Sequence, residues 1–379
     1  MKNRRLMSIL GSLLVLLTIL SGCAGTPGAK EAVSVTPVVD TAPLSMSIIH
    51  VNDTHAKLES EYRELRIDIS NELKSKRTFF ELGGFTRLWA AVEALRAERP
   101  NSFFLHAGDV FQGTLYFTEF AGKADLDFLN AMGLDALVIG NHEFDKGPAI
   151  LADFIKEAKF PVLACNVDLS AEPTLQKLIK PYVIRTIGGT RVAIVGIANP
   201  ETPDISSPGP NIKFLDPVAS LEKTVRELES QGLNKIIVLS HAGYEADKTL
   251  GSKVSGVDII VGGHSHFILG PFKNMGLTAQ GEYPTLIQSP AGEPVLVVTS
   301  WNWAHMIGVL DVDFDAQGKI ENYRGVPKLL AGLEKFRIYD LPDAEGKLKR
   351  VEFKRGADGT YSVQEYDGKA YVAEPSEKA

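Results

Sequence analysis

Cysteine is almost missing from this chain: Cys23 and Cys165 are the whole complement in 379 residues. A disulfide framework is thereby excluded, as is a metal site built on several thiolates. Basic residues are outnumbered, 40 Lys and Arg against 47 Asp and Glu, for a formal net charge of -7. That balance argues against a general binder of nucleic-acid polymers, which would carry a basic stripe. It leaves room for a small anionic substrate, because the local field at a site outweighs the sum. Long apolar runs are scarce too. The one candidate, residues 6–20, is too short and wrongly flanked for a membrane span. No internal repeat is apparent.

What is present begins with an export signal. Lys2, Arg4 and Arg5 precede the apolar run, which ends in Leu20-Ser21-Gly22-Cys23. That ending resembles a bacterial lipoprotein box. It implies removal of residues 1–22, acylation of Cys23 and export to a bacterial membrane, anchored on its cell-surface or periplasmic side; several acyl chains would hold stably where one would not. Cys165 then has no partner and lies in an apolar run, which suits a core thiol. Residues 23–44, rich in Ala, Thr, Pro, Val and Gly, are expected to be a flexible tether.

Beyond the tether, short apolar runs alternate with amphipathic stretches. The runs are 47–51, 102–105, 136–139, 161–164, 191–197, 235–239, 257–261 and 295–299. Helical periodicity is clearest over 84–98, 126–132, 148–159 and 216–231. Runs 182–187 and 191–197 flank Gly188-Gly189, a hairpin signal. The layout is α/β, with helices covering sheets. Residues 311–315 read as the last strand of a domain spanning 45–325. Residues 326–379 alternate at 350–355, 360–365 and 371–374 and are expected to form a small β-rich appendage.

The eight histidines are unevenly placed. His55, His142, His241, His264 and His266 follow strand patterns, beside Gly, Asp or Asn. Ligands of open α/β sheets bind at the carboxyl ends of strands, so these residues fall on one rim. Asp53 and His55 are two apart, as are His264 and His266; an extended chain would point each pair to one face. Gly108, Gly140, Gly262 and Gly263 remove side chains where backbone must crowd a metal. Asp109 has two oxygens to share between two ions. The donors are nitrogen and oxygen only, which suits two divalent ions of the Zn, Mn or Fe type. Asp53, Asp109 and a bridging hydroxide would leave such a site net positive, favouring a phosphate dianion attacked by that hydroxide. His142 precedes Asp145 by three residues, so Asp145 can fix its tautomer while His142 stabilises the transition state or protonates the leaving oxygen.

Asn52-Asp-Thr-His55, Gly108-Asp109, Gly140-Asn-His-Glu143, Ser240-His-Ala-Gly243 and Gly263-His-Ser-His266 together resemble the signature of the calcineurin-like metallophosphoesterases. The catalytic N-terminal domain of bacterial 5′-nucleotidases is the most similar branch. The resemblance covers residues 46–315. It implies a four-layer α/β/β/α sandwich, here with a short C-terminal β appendage. It implies one metal on Asp53, His55, Asp109 and His266, a second on Asp109, Asn141, His241 and His264, and a catalytic dyad of His142 and Asp145. The expected substrate is a small phosphate ester or nucleotide. Family 5′-nucleotidases continue into a second large domain that grips the nucleoside, whereas 64 residues follow Asp315; the resemblance therefore carries over the catalytic core and not the nucleoside grip. Two other readings compete, a thiosulfohydrolase acting on a sulfur ester and a non-catalytic metal-binding surface lipoprotein. The Gly140–Glu143 segment favours phosphate, since it supplies both a ligand and the dyad histidine.

Several residues fit structural roles as well as functional ones. The charged stretch 59–80 suits a solvated helical insertion better than a lid over the metals. Trp301, Trp303 and His305 suit core as well as a pocket wall. Tyr116, Phe117, Tyr244 and Phe267 follow ligand segments and are candidates to stack on a leaving group. His50 and His106 read as core or as supports of the ligands.

Overall fold

A computed structural model describes residues 41–65, 77–342, 345, 348–355 and 361–365. Cys23, the leader, most of the tether and the expected strand 371–374 lie outside the described residues. Among the described residues, no helix is long and apolar enough to cross a membrane.

Two sheets carry the fold. In the first, neighbours run Ile320–Gly325, Met306–Phe314, Leu44–Val51, Ser102–His106, Ala136–Val138, Val162–Leu163 and Ile179–Lys180, with Lys328–Leu329 pairing Met306–Phe314. From Leu44–Val51 to Ile179–Lys180 the pairs are parallel. In the second sheet the order is Thr285–Gln288, Pro294–Val298, Ile259–Gly262, Ile236–Ser240, Thr190–Ile197 and Tyr182–Ile187. Its four middle strands are parallel. Parallel strands are buried on both faces and so read as unbroken apolar runs, as in the Ile-Ile-Val-Leu of 236–239.

Alternation along each strand of the first sheet divides its side chains between two cores. Ile48, Leu105 and Val138 face the second sheet, packing with Ile194, Leu239 and Val297. Their neighbours Ile49, Phe104 and Leu137 pack with Leu88, Val92, Leu129 and Leu151 of the helices outside. Leu88, Val92 and Leu95 recur at helical spacing on Phe85–Glu98, so one stripe of that helix is buried. Leu221, Val225 and Leu228 do the same for Pro217–Ser230 over the second sheet. That helix starts where Asp216 accepts from Ala219 N (2.7 Å) ahead of Pro217 at the first turn. The result is the α/β/β/α order of layers. The Gly188-Gly189 hairpin forms with Ile187 opposite Thr190.

The stretch 59–80 departs from expectation. It contains no helix among its described residues; Glu61–Leu65 and Arg77–Leu82 pair as an antiparallel hairpin. Arg77–Leu82 then pairs with Ala331–Pro342, a long strand not anticipated, which continues through Leu348–Arg355 to Tyr361–Glu365. The C-terminal strands are thus three of a five-stranded sheet whose other two are inserted after the first strand of the fold. Leu65, Phe80 and Leu82 are buried. Phe80 and Leu82 lie opposite Phe336 and Ala331 in the strand pairing, some 250 positions away.

Candidate metal centre

The ligand segments meet where the strands of both sheets end. Leu44–Val51 stops at Val51, Ser102–His106 at His106, Ile236–Ser240 at Ser240 and Ile259–Gly262 at Gly262. Asp53, His55, Asp109, His264 and His266 follow directly, and all five have φ between 50° and 71°. The backbone there is left-handed, not extended, so the two-residue spacing acts through tight turns and not through strand alternation. Such conformations cost an L-residue of order 1 kcal/mol or more and persist only when the surroundings enforce them. Here Asp53 N donates to Gly108 O (2.9 Å), His55 N to Asp109 O (3.1 Å) and Ala56 N to Val110 O (2.9 Å), locking the two turns together. Gly140 has no room for a side chain, because a Cβ there would collide with the Asp109 carboxylate.

Three groups of donor atoms converge: Asp53 with His55 and His266, Asp109 with His241 and His264, and His55 with Asp109 and His142. Within each, the donor atoms lie within 4.8 Å of one another. Asp109 Oδ2 is 3.0 Å from His241 Nε2 and 3.9 Å from His55 Nε2, so it stands between the first two groups. The Nε2 atoms of His55 and His266 face each other at 3.0 Å. Asn141 Oδ1 is buried with no hydrogen-bond partner, an atom that a cation would satisfy. Burial opposes a proton on His241, yet Asp109 and Asp53 hold it up to about 10. Burial also opposes charge on Asp109, but His241, His55 and His142 outweigh it and keep that carboxyl below the usual range. The centre therefore calls for positive charge, which divalent cations supply. The residues present fit two such ions.

The rings of His55, His241, His266 and His142 are each aimed by the other nitrogen. His55 Nδ1 donates to Phe111 O (3.1 Å) and His241 Nδ1 to Ala107 O (2.7 Å), leaving both Nε2 atoms for the centre. The Asn302 amide lies 3.0 Å from His266 Nδ1, while Asn302 Oδ1 is buried without a partner. Turning that amide by 180° pairs its oxygen with Nδ1–H and keeps Nε2 for a ligand. His142 Nδ1 donates to Asp145 Oδ2 (2.7 Å). Asp145 in turn accepts from Gln112 Nε2 (3.0 Å) and Ser206 Oγ (2.8 Å). Burial lowers His142, but Asp109 and Asp145 win and its pKa lies above the ordinary value.

Other supports have no counterpart in the sequence reading. Asn52 Oδ1 accepts from Ser300 N, Ser300 Oγ and Thr299 Oγ1, while its Nδ2 donates to Asp53 Oδ2 (2.6 Å). Glu143 accepts backbone N–H bonds from Val110 and Phe111 at one oxygen and from Asp109 and Gly140 at the other. Asn52 and Glu143 lie inside the signature segments, so adjacency was an available signal. Asn302, Gln112 and Ser206 offered none. Of the histidines set aside, His50 bonds Tyr283 Oη (2.7 Å) in the core. His106 Nε2 meets Thr54 Oγ1 (3.0 Å) beneath the ligand turn. Trp303 is not a core residue: it is half-buried under the cations of Lys57 (4.6 Å) and Arg63 (4.7 Å), and its backbone N–H donates to Asp53 O.

The family model of the calcineurin-like phosphoesterases matches residues 46–267. The chain belongs to that family. It is 41% identical over 288 residues to a probable 5′-nucleotidase of Treponema pallidum, covering 75% of this chain and 48% of the relative. It is 37% identical over 322 residues to the NAD 5′-nucleotidase of Haemophilus influenzae, covering 84% and 51%. Among solved structures, the 5′-nucleotidase precursor from Thermus thermophilus superposes with a TM-score of 0.72 at 45% identity, over 76% of this chain and 55% of that one. This phosphoesterase chain spans about half the length of the curated relatives it matches.

Proposed function

We propose that this chain hydrolyses phosphate monoesters of the 5′-nucleotide kind, at the centre formed by Asp53, His55, Asp109, Asn141, His241, His264 and His266. The carrying observation is that Asp109, grouped with His241 and His264, also lies 3.9 Å from His55 of the group formed with Asp53 and His266. Asp53, His55, His266 and Asp109 would hold one divalent ion, and Asp109, Asn141, His241 and His264 the other. Bound there, such ions supply Lewis-acid charge to a phosphoryl oxygen and lower the pKa of water. The chain's own part is orientation and proton handling. His142 stands at the edge of the centre, its ring 5.2 Å from that of His55. With Asp145 on Nδ1, it presents Nε2 to stabilise the transferring group or to give a proton to the leaving oxygen. The names borne by the two bacterial relatives favour nucleotides among phosphate esters.

The test is a screen of p-nitrophenyl phosphate, its bis-ester, AMP, UDP-glucose and 2′,3′-cyclic AMP with Mn²⁺ or Zn²⁺. Release that a chelator abolishes is expected, with AMP ahead of the diesters. Silence across the panel with metal bound would overturn the reading.

We further infer export, with acylation of Cys23 as the link to a bacterial membrane. In a bacterial host, Cys23→Ser should move the protein from the membrane fraction to the soluble one. We assign the phosphoesterase domain to residues 45–325 and the appendage to 326–379, with the hairpin of Glu61–Leu65 and Arg77–Leu82 as its partner.

A further inference from the structure

Segment 299–305 joins the strand Pro294–Val298 of the second sheet to Met306–Phe314 of the first. Trp301, Trp303 and Ala304 within it have φ of 61°, 55° and 52°. Bulky side chains seldom adopt that backbone, and it persists only where the surroundings enforce it. On its inner side the segment holds ligand turns. Trp303 N donates to Asp53 O (2.8 Å), Asn52 Nδ2 donates to Trp301 O (2.5 Å), and the Asn302 amide meets His266 Nδ1 (3.0 Å). Trp301 N also donates to Phe267 O (3.1 Å), one residue past His266. These bonds reach Asp53 and His266, candidate ligands of one ion. None of them reaches Asn141, His241 or His264, candidates for the other.

On its outer side the same segment is held by the five-stranded sheet. The Trp303 ring lies against the cations of Lys57 and Arg63, an attraction between positive charge and the ring face. Glu61 gathers those cations: it accepts from Arg63 Nε (2.6 Å) and Lys57 Nζ (3.4 Å), and its Oε1 lies 3.0 Å from His305 Nε2. Glu61 and Arg63 belong to the inserted hairpin. Leu330 N donates to His305 O and Gly83 N to Leu330 O, both at 2.8 Å. The residue before Ala331–Pro342 and the residue after Arg77–Leu82 are thereby tied to the segment. A Cβ on Gly83 would stand 2.8 Å from Trp303 O, so the two backbones touch with no room between them.

We propose that Trp303 is a positioning residue through which the five-stranded sheet braces the Asp53 and His266 side of the metal centre, so that the sheet serves the retention of one ion and not of the other. The proposal rests on the two-ion reading of the centre. Calorimetric titration of the full chain with Mn²⁺ tests it in two backgrounds. His241→Ala leaves the site of Asp53, His55 and His266. There Trp303→Leu should weaken Mn²⁺ about tenfold. Arg63→Ala, at a side chain 38% exposed and so no threat to folding, should weaken it about threefold. Trp303→Phe keeps a ring beside both cations and should recover most of the loss. His266→Ala leaves the site of Asn141, His241 and His264, and there none of these substitutions should change the affinity. In the otherwise unaltered chain, Trp303→Leu should lose one Mn²⁺ on gel filtration and keep the other. Equal weakening in both backgrounds would mean a general loosening and overturns the brace, as does Mn²⁺ binding indifferent to Trp303 and Arg63. A wild-type chain that binds no Mn²⁺ overturns the two-ion reading and the brace with it.

Discussion

At the residue scale, the polar atoms that matter divide into those that meet at the centre and those that hold them there. His142 belongs to the first group. Its side chain is hydrogen-bonded to none of the seven candidate ligands' aiming groups, and the bond it gives Asp109 Oδ1 comes from its backbone N–H (2.9 Å), which a substitution keeps. His142→Ala should lower kcat by about 10²–10⁴-fold while metal content, read by atomic emission, stays at the wild-type value. Unchanged turnover would remove the dyad assignment. Asn52 belongs to the second group. Asn52→Ala strips the buried Thr299, Ser300 and Asp53 groups of a partner, and a loss on the order of 3 kcal/mol in urea unfolding is expected, with weaker metal retention. Cys165 is a third kind, a half-buried thiol packed against the core that touches none of this. Burial pushes it up to about 11, so iodoacetamide should label it at pH 7.5 only after unfolding; labelling of the folded protein would contradict the packing. Nearly every ligand candidate was legible in the sequence, because Asp, Asn and His after apolar runs are rare enough together to stand out. The supports were not, since the link from Asn302 to His266 exists only after two strand ends are brought together.

At the scale of elements, buried apolar runs and amphipathic helices were readable because their signal is local. The hairpin of Glu61–Leu65 and Arg77–Leu82 was not. Its charges are those of a solvated helix, and its second strand finds its other pairing partner in the distant Ala331–Pro342. Phe80, 1% exposed, should report on that pairing: Phe80→Ala is expected to cost about 3–5 kcal/mol, whereas a free-standing insertion would lose almost nothing. The helix Lys123–Ala131 carries a different liability. Asp125 is fully buried, and neither of its oxygens has a hydrogen-bond partner. Burial, with Glu143 nearby, raises its carboxyl well above the ordinary 3.8. The folded state then holds the proton more tightly than the unfolded chain, so stability is lost as pH rises from about 4 through the raised folded value. Asp125→Asn should therefore raise Tm at pH 8 and give no gain at pH 4; an equal gain at both would show that ionisation is not the cause.

At the scale of the whole molecule, the centre joins turns from both sheets, so a ligand there ties the two halves of the sandwich together. Anything bound to the folded form alone stabilises it by mass action. Chelation should lower Tm by about 5 °C or more, and an Asp109→Asn variant should lose most of that sensitivity. The layered order was legible from alternating elements, but the route by which the C-terminal strands return to the first strand's insertion was not, because no local pattern encodes a pairing across that distance.

The left-handed turns that carry Asp53, His55, Asp109, His264 and His266 set a limit on how such a centre can change. Asp, Asn and His tolerate that backbone better than other side chains, and β-branched residues tolerate it worst. Any drift in ligand identity is thus filtered by conformation before coordination chemistry is consulted. The vocabulary open to these positions is short, and it consists of good ligands for hard and borderline cations. A lineage descended from this chain could retune its metal preference among them far more readily than it could shed metal altogether.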